Sequence, residues 1–213
     1  MSPDTKLTTI KNWLGSGSIN ILGIQFSGKD TLGQSLAKQL NGIFISSGDI
    51  VRAALNSSDP STRQAALISQ TGQLMPTKQF QKLIIPRLTD SQLVNKPLVL
   101  DSVGRWFGEE NIIIETLASS QHPLKAAIIL SIPIEEVWRR WEIVRDKRNG
   151  GRADDLTKDL LQTRIDEFND KTLPLINKYR SIGLAIDITA DRAINDTYKA
   201  AIEALHQKAL IEA

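Results

Sequence analysis

Residues 23–31 have the sequence GIQFSGKDT and connect two segments of different periodicity. The run before them, Ser18–Ile24, is rich in isoleucine and predicts a buried β-strand. After them, Leu32, Leu36 and Leu40 recur at helical intervals. A glycine-rich loop between a strand and a helix presents its backbone N–H groups at the helix N-terminus, where they bind phosphate. This stretch therefore predicts a phosphate-binding loop within an α/β fold.

The loop matches the pattern G-x-x-x-x-G-K, with the hydroxyl residue Thr31 one place later than is common. In such a loop the lysine, here Lys29, supplies a mobile positive charge, and the hydroxyl faces Mg²⁺. The pattern also occurs in ordinary turns with a surface lysine. The strand before it and the helix after it favour the phosphate-binding interpretation.

The order of strand and then helix recurs along the chain. Four more strand-like segments, at residues 42–45, 97–101, 125–132 and 184–188, are each followed by a helical pattern. Strands with two apolar faces, separated by helical crossovers, form a parallel sheet that helices cover on both sides. We therefore predict a three-layer α/β sandwich with a five-stranded parallel sheet, whose ligands bind at the carboxyl ends of the strands.

The composition excludes several classes of protein. The chain has 213 residues, 41% of them hydrophobic and 23% charged, which suits one domain over residues 1–213. It has no cysteine, and its two histidines are far apart, which argues against disulfides and a zinc site. A net charge of +2 is too small for a general nucleic-acid binder, and no apolar run is long enough to span a membrane. The first residues lack the apolar stretch of a secretion signal, so we expect a cytoplasmic protein. We also expect a monomer.

Three stretches depart from this alternation. Residues 46–96 contain Ser-Gly-Asp, Asp-Pro and Met-Pro sequences, which predict several short helices in place of a single crossover helix. Residues 145–155, RDKRNGGRADD, are highly charged and contain two glycines, which predicts a mobile loop. Residues 1–17 form an N-terminal extension, with a short helix predicted over residues 8–14.

Two further motifs follow predicted strands. After the second strand, Ser47 and Arg52 lie about one helical turn apart and suit a second phosphate, although Asp49 is also consistent with simple helix capping. At the end of the third strand, Asp101 suits Mg²⁺ bound through water, and Arg105 suits a transferring phosphate. A surface turn is the alternative interpretation of this motif.

Arginines are concentrated on both sides of the glycine-containing loop. Those on its flanks can fold over a triphosphate and exclude water, while Asp154 and Asp155 pair with an arginine in the closed form. Solvated surface is the expectation for Arg148 and for one of the pair Arg139 and Arg140. The whole set is Arg139, Arg140, Arg145, Arg148, Arg152 and Arg164.

The order of these motifs resembles the adenylate kinase and UMP/CMP kinase family of nucleoside monophosphate kinases. The resemblance covers residues 19–205 through GIQFSGKDT, ISSGDIVRAA, TGQLMP, LVLDSVGR, GGRADD and RIDEFNDKTLPLINKYRSIG, and the last two are typical of members with a short lid. It implies a P-loop fold and reversible phosphoryl transfer from Mg-ATP to a nucleoside monophosphate. It also implies a helical monophosphate-binding insert at residues 47–77 and a short lid at residues 146–153.

The resemblance also implies roles for individual residues at matching positions. For ATP it implies Gly23, Ser27, Gly28, Lys29, Asp30, Thr31, Arg140, Arg152 and Arg192. For the monophosphate it implies Ser47, Arg52, Gln73, Met75, Ser102, Arg105 and Glu109. It gives Lys29, Arg105, Arg145, Arg152 and Arg164 a part in catalysis. It implies that Thr31 and Asp101 hold Mg²⁺, partly through water.

Several positions depart from the family pattern. Gln25 and Phe26 replace a proline and a glycine, and Asp30 replaces a glycine, which narrows the loop and brings a negative charge near the phosphates. Gln73 stands where a basic residue is usual. Glu109 replaces an amide that reads adenine. Because a carboxylate only accepts hydrogen bonds, Glu109 suits guanine, which offers two adjacent donors, and AMP and a pyrimidine monophosphate are the alternative acceptors.

These departures leave two other functions open. One is a P-loop kinase that acts on another small phosphorylated metabolite. The other is a nucleotide-binding regulatory module with weak or no turnover. The presence of Lys29, Asp101, Arg105, Arg152 and Arg164 together argues against the second, because a binding module does not need both phosphate clamps.

Overall fold

A five-stranded parallel sheet forms the centre of the protein, in a computed structural model that describes residues 3–147 and 157–212. Its strands lie in the order β2-β3-β1-β4-β5, and each neighbouring pair is parallel. The five predicted strands are confirmed, each boundary to within one residue. The strands are β1 (Ser18–Gly23), β2 (Ile43–Ser46), β3 (Leu98–Asp101), β4 (Leu124–Ser131) and β5 (Ala185–Thr189).

Helices surround the sheet. They are α1 (Pro3–Leu14), α2 (Lys29–Leu40), α3 (Ser47–Ala54), α4 (Pro60–Ile68), α5 (Thr77–Leu88), α6 (Glu109–Ser119), α7 (Ile134–Lys147), α8 (Lys158–Glu167), α9 (Leu173–Ser181) and α10 (Ile194–Ile211). The stretch between β2 and β3, where the sequence predicts several short helices, contains α3, α4 and α5. A π-helical turn, Phe168–Thr172, joins α8 to α9. Within the described residues, none of these helices combines the length and apolarity needed to cross a membrane.

Successive strand residues point to opposite faces of the sheet and build two apolar cores. On one face, Val99 and Ile128 pack with residues of α1, α2 and α10. On the other face, Leu100 and Ile129 pack with residues of α5, α6 and α9. The predicted three-layer α/β sandwich is therefore confirmed.

The N-terminal helix α1 is longer than the predicted residues 8–14. Its Ile10 and Leu14 are buried in the same core as residues of α2 and α10. Near its other end, Lys6 forms an ion pair with Glu203 of α10. The helix therefore belongs to one outer layer of the sandwich.

Helix α7 extends into the stretch that the sequence predicts as a loop. Val137 and Trp141 are buried, and Val144 continues this stripe at the spacing i, i+4, i+7, so the helix remains favourable as far as Lys147. The rest of the predicted loop, residues 148–155, and of the predicted lid, residues 148–153, lies outside the described residues.

The two histidines are both buried but differ in their hydrogen bonds. The Nδ1 atom of His122 lies 2.7 Å from the carbonyl oxygen of Ser16. His206 on α10 is also buried, yet neither ring nitrogen has a hydrogen-bond partner among the described residues. Because burying an unpaired polar group costs free energy, His206 is a destabilising position in the outer helical layer.

We expect His206→Leu to raise the free energy of unfolding by about 1 kcal/mol, because the substitution removes two unpaired nitrogens from an apolar layer. His122→Leu is the matched control and should lower it by about 1–2 kcal/mol, since the carbonyl of Ser16 loses its partner. Urea unfolding followed by circular dichroism measures both. A destabilised His206→Leu protein would contradict this account.

Candidate active site

The phosphate loop connects β1 to α2 at the carboxyl edge of the sheet. Position 23 has no room for a side chain, because a Cβ on Gly23 would lie 2.5 Å from the carbonyl oxygen of Leu130. Gly28 precedes α2 with a φ of +92°, a conformation that favours glycine. The Nζ atom of Lys29 donates a hydrogen bond to the carbonyl of Ile24 over 2.8 Å. The ammonium group is thus held over the loop, at a helix N-terminus where anions bind.

Phe26, at the tip of this loop, has a φ of +61°, in the left-handed region that bulky residues avoid. Its side chain packs against the cluster that contains Val137 and Trp141 of α7. Its carbonyl oxygen accepts a hydrogen bond from the guanidinium of Arg140 over 3.0 Å. The backbone strain is therefore offset by contacts that tie the phosphate loop to α7.

Arg140 bridges three parts of the protein. Besides the carbonyl of Phe26, its guanidinium contacts the carbonyl of Ala190 over 2.7 Å and the carboxylate of Glu136 over 2.6 Å. Arg139 contacts the same carboxylate over 2.6 Å, but its side chain is 61% exposed. Hydrogen bonds from Arg139 and then Arg140 lower the pKa of Glu136 to about 2. Of the two neighbouring arginines, Arg140 is therefore the one directed at the phosphate loop.

A second group of polar and charged side chains lies at the ends of β2 and β3. Parallel pairing brings these two strand ends together. Ser47 follows β2, and its Oγ accepts a hydrogen bond from Arg105, which follows β3, over 3.1 Å. Arg52, one turn further along α3, pairs with Asp49 over 2.5 Å.

Arg105 lies among charged groups. Burial is the main cause that lowers the pKa of its guanidinium from the ordinary value. Asp101 and Glu109 act in the opposite direction, whereas the charges of Arg164 and Arg52 lower this pKa further. An arginine stays protonated, so three neighbouring guanidinium groups repel one another, and a bound anion would relieve that repulsion. The arrangement is therefore suited to a phosphate.

Residues 102–108, the β3–α6 loop, connect the third strand to α6 and carry Arg105. Asn20, in the middle of β1, donates to the carbonyl of Val103 over 2.7 Å and accepts from its N–H over 3.2 Å. Ser102 has a φ of +56°, and its hydroxyl donates to Asp101 over 2.9 Å. The central strand thus fixes the start of this loop.

Glu109 and the π-helical turn fix the rest of the β3–α6 loop. The Oε2 atom of Glu109 accepts from the N–H groups of Arg105 and Trp106 over 2.8 and 3.1 Å. The hydroxyl of Thr172 donates to the carbonyl of Arg105 over 3.0 Å. The Nζ atom of Lys171 lies 4.0 Å from the centre of the Trp106 ring. Such π-helical turns are rare and frequently mark functional sites.

Glu167 connects the helical insert to the same region. Its carboxylate accepts a hydrogen bond from the N–H of Leu74, in the insert, over 2.9 Å. It also pairs with Lys171 over 2.5 Å. The insert is therefore held against the end of α8.

The side chains of the phosphate loop and those that follow β2 and β3 line one cavity of about 700 Å³. Among the described residues predicted for the site, only Arg145 is absent from its lining; the guanidinium carbon of Arg145 lies 4.7 Å from the centre of the Trp141 ring. Arg152 lies outside the described residues. The predicted residues that line the cavity are Gly23, Ser27, Gly28, Lys29, Asp30, Thr31, Ser47, Arg52, Gln73, Met75, Asp101, Ser102, Arg105, Glu109, Arg140, Arg164 and Arg192.

Several other residues of the cavity wall have no role predicted from the sequence. Trp106, Glu167, Phe168, Thr172 and Ile194 all line it. An aromatic residue directly after a strand-end arginine is a signal that could have identified Trp106. Glu167 and Thr172 fall in the quoted stretch RIDEFNDKT, but their contacts come from distant segments and leave no local pattern.

The fold, and a cavity in which the cationic side chains of two strand ends meet the loop after β1, are those of a P-loop phosphotransferase. A family model described as adenylate kinase matches residues 21–184, and the chain belongs to that family. It is therefore a nucleoside monophosphate kinase, an enzyme that transfers a phosphoryl group from ATP to a monophosphate. Kinases of this family use ATP together with a divalent metal ion.

Named relatives cover most of the chain at low identity. The chain is 26% identical to the adenylate kinase of Prochlorococcus marinus (strain MIT 9211), over 82% of this chain and 89% of that protein. It is 29% identical to the adenylate kinase of Corynebacterium urealyticum, over 87% of this chain and 97% of that protein. It is also 29% identical to the adenylate kinase of Xylella fastidiosa (strain M23), over 79% and 88% of the two chains.

We expect Arg140→Lys to lower the free energy of unfolding by about 1–2 kcal/mol, because one ammonium group cannot reach Phe26, Ala190 and Glu136 together. Arg139→Lys is the matched control on the same carboxylate and should have a much smaller effect, since this arginine is mostly exposed. Chemical unfolding of both variants provides the comparison. Equal effects of the two substitutions would argue against the bridge.

Proposed function

We propose that the protein transfers the γ-phosphoryl group of Mg-ATP to AMP in the cavity between the phosphate loop and the β3–α6 loop. The observation that carries this proposal is the convergence of Lys29, Arg52, Arg105 and Arg164 on one cavity of about 700 Å³. That volume falls within the usual range of ligand sites. The relatives are named adenylate kinases, which supports AMP as the acceptor.

The phosphate loop is the donor side of this site. Gly23, Ser27, Gly28 and Thr31 surround the phosphates of ATP, and Lys29 neutralises their charge. Asp30 stands beside them; its carboxylate accepts a hydrogen bond from Gln34 over 3.1 Å, which partly satisfies its charge.

The donor nucleoside lies towards α7 and α10 in this proposal. Arg192 contacts ATP from the segment after β5. Arg140 supports the same side, because its guanidinium holds both the tip of the phosphate loop and the carbonyl of Ala190.

The acceptor lies between the insert and the β3–α6 loop. Ser47, Arg52 and Arg105 bind its phosphate, because two guanidinium groups and a hydroxyl suit a dianion. The nucleoside lies against the part of the cavity wall formed by Gln73, Met75, Ser102 and Glu109. In this proposal a single chain supplies every group of the acceptor site, and the protein acts as a monomer.

Thr31 and Asp101 are the residues that would hold Mg²⁺, in part through water. Asp101 is buried at the carboxyl end of β3, opposite Ile21 of β1, and one of its oxygens is engaged by Ser102. A hydroxyl and a carboxylate are hard oxygen donors, which fits this ion. When bound, Mg²⁺ neutralises charge on the phosphates of ATP.

The chemistry requires mainly positioning and charge neutralisation. An oxygen of the acceptor phosphate bonds to the γ-phosphorus of ATP, and the bond from that phosphorus to the β–γ bridging oxygen breaks. The products are ADP and a nucleoside diphosphate. Lys29 and Arg164, with Arg152, stabilise the charge that develops on the transferring group, whereas Arg145 stacks on Trp141 outside the cavity lining.

We expect Lys29→Met to reduce kcat at least ~10²-fold, because it removes one preorganised charge from the phosphates. Lys38→Met, an exposed position on the same helix, is the matched control and should retain the parent rate. A coupled assay of ADP formation with Mg-ATP and AMP measures both. Near-normal turnover of Lys29→Met would refute this mechanism.

A panel of AMP, GMP, CMP and UMP in the same assay tests the acceptor. We expect the highest kcat/KM with AMP. A higher value with GMP would favour the guanine hypothesis based on Glu109. ADP formation with none of the four would instead support a different phosphorylated acceptor or a binding module without turnover.

A further inference from the structure

The two carboxylate oxygens of Glu109 have different surroundings. The side chain lies at the start of α6 and is only 1% exposed. Its Oε2 atom accepts from two backbone N–H groups, those of Arg105 and Trp106. Its Oε1 atom is buried and has no hydrogen-bond partner in the part of the chain that the structure describes. Glu109 therefore borders the cavity with one oxygen bonded to the backbone and the other, unpaired, buried.

The bonds of Glu109 fix the residue that would bind the acceptor phosphate. The N–H of Arg105 is held by Glu109 over 2.8 Å, and its carbonyl is held by Thr172 over 3.0 Å. From this fixed backbone the guanidinium reaches the hydroxyl of Ser47 over 3.1 Å. Bonds between a carboxylate and backbone N–H groups are among the stronger hydrogen bonds, so they restrain this position well.

The charge of Glu109 contributes to the same position. Its carboxylate is close enough to Arg105 to raise the pKa of that guanidinium, against the opposite effect of Arg52 and Arg164. It thus offsets part of the repulsion among three guanidinium groups. The bonds and the charge of Glu109 therefore both act on Arg105.

We propose that Glu109 is a positioning residue for Arg105, and that it sets the affinity for the phosphate of the acceptor whatever the base. This inference rests on the proposed function, because it takes the acceptor phosphate to lie at Arg105. Displacement of a binding group by about 1 Å can cost as much as ~10²-fold in rate, so loss of these bonds should be measurable.

Three conservative variants test this role. Glu109→Asp keeps the charge but shortens the side chain, so that its oxygens no longer reach both N–H groups. Glu109→Gln keeps the length and one accepting oxygen. Glu110→Asp is the matched control, because Glu110 is equally buried and its Oε2 atom accepts from the N–H of Gly108 over 2.7 Å.

The measurements are kcat and KM for ATP and for AMP, GMP, CMP and UMP, with binding of the four monophosphates to each protein by calorimetry. For Glu109→Asp we expect the KM and Kd of all four monophosphates to rise together by roughly 10-fold or more, while the KM for ATP stays within about twofold. For Glu109→Gln we expect the KM and Kd of the four monophosphates to stay within about threefold of the parent values. Glu110→Asp should leave both substrates unchanged.

Two results would overturn the inference. One is a change in the order of the four bases in either Glu109 variant, which would make this residue a reader of the base. The other is unchanged monophosphate binding in Glu109→Asp, or an equal loss for ATP and monophosphate, as a merely structural role would give. Failure of the proposed function is distinguishable, because the parent protein itself would then bind none of the four monophosphates.

Discussion

Parallel pairing of β1, β2 and β3 is the constraint on which the site depends. Because the three strands run in one direction, their carboxyl ends meet at one edge, and Asp101 lies opposite both Ser46 and Ile21. The phosphate loop, the start of α3 and the β3–α6 loop all leave the sheet there. Residues that are far apart in the sequence therefore reach one cavity without any long irregular segment.

That convergence places like charges close together, and the surrounding structure compensates for it. The guanidinium of Arg105 is partly buried and feels the charge of two other arginines, which is unfavourable without an anion. Asp101 and Glu109 supply nearby negative charge. Backbone carbonyls have a similar role on the donor side, where those of Phe26 and Ala190 accept hydrogen bonds from Arg140. The site thus combines strong positive potential with a restrained framework, which is what phosphoryl transfer requires.

The sequence predicted the fold because each strand and the phosphate loop are determined by local patterns. The apolar run before Gly23 and the helical spacing after Lys29 are visible without tertiary information. The sequence also placed Lys29, Ser47, Arg52 and Arg105 at strand ends, and a parallel sheet brings strand ends together.

The contacts of other residues depend on distant segments, and local sequence does not show them. Arg140 contacts carbonyls about 114 and 50 positions away in the chain. From its position in the motif, the carboxylate of Glu109 is a candidate for contact with the base of the acceptor. The structure of the β3–α6 loop shows that one of its oxygens instead accepts hydrogen bonds from backbone N–H groups. The prediction that the loop begins at residue 145 was also wrong, since α7 continues to Lys147. The many charged residues after Trp141 make the apolar spacing from Val137 and Trp141 to Val144 difficult to recognise in the sequence.

The π-helical turn Phe168–Thr172 also limits how the chain length can vary during evolution. It joins α8 and α9, and one residue fewer within it would restore a regular helix and rotate everything after it by about 100°. The buried residues Leu175, Ile176 and Tyr179 would then leave the sheet, and Thr172 would leave Arg105. Single deletions here should therefore be tolerated much less well than substitutions. The number of residues between α8 and α9 is thus constrained more strongly than their identity.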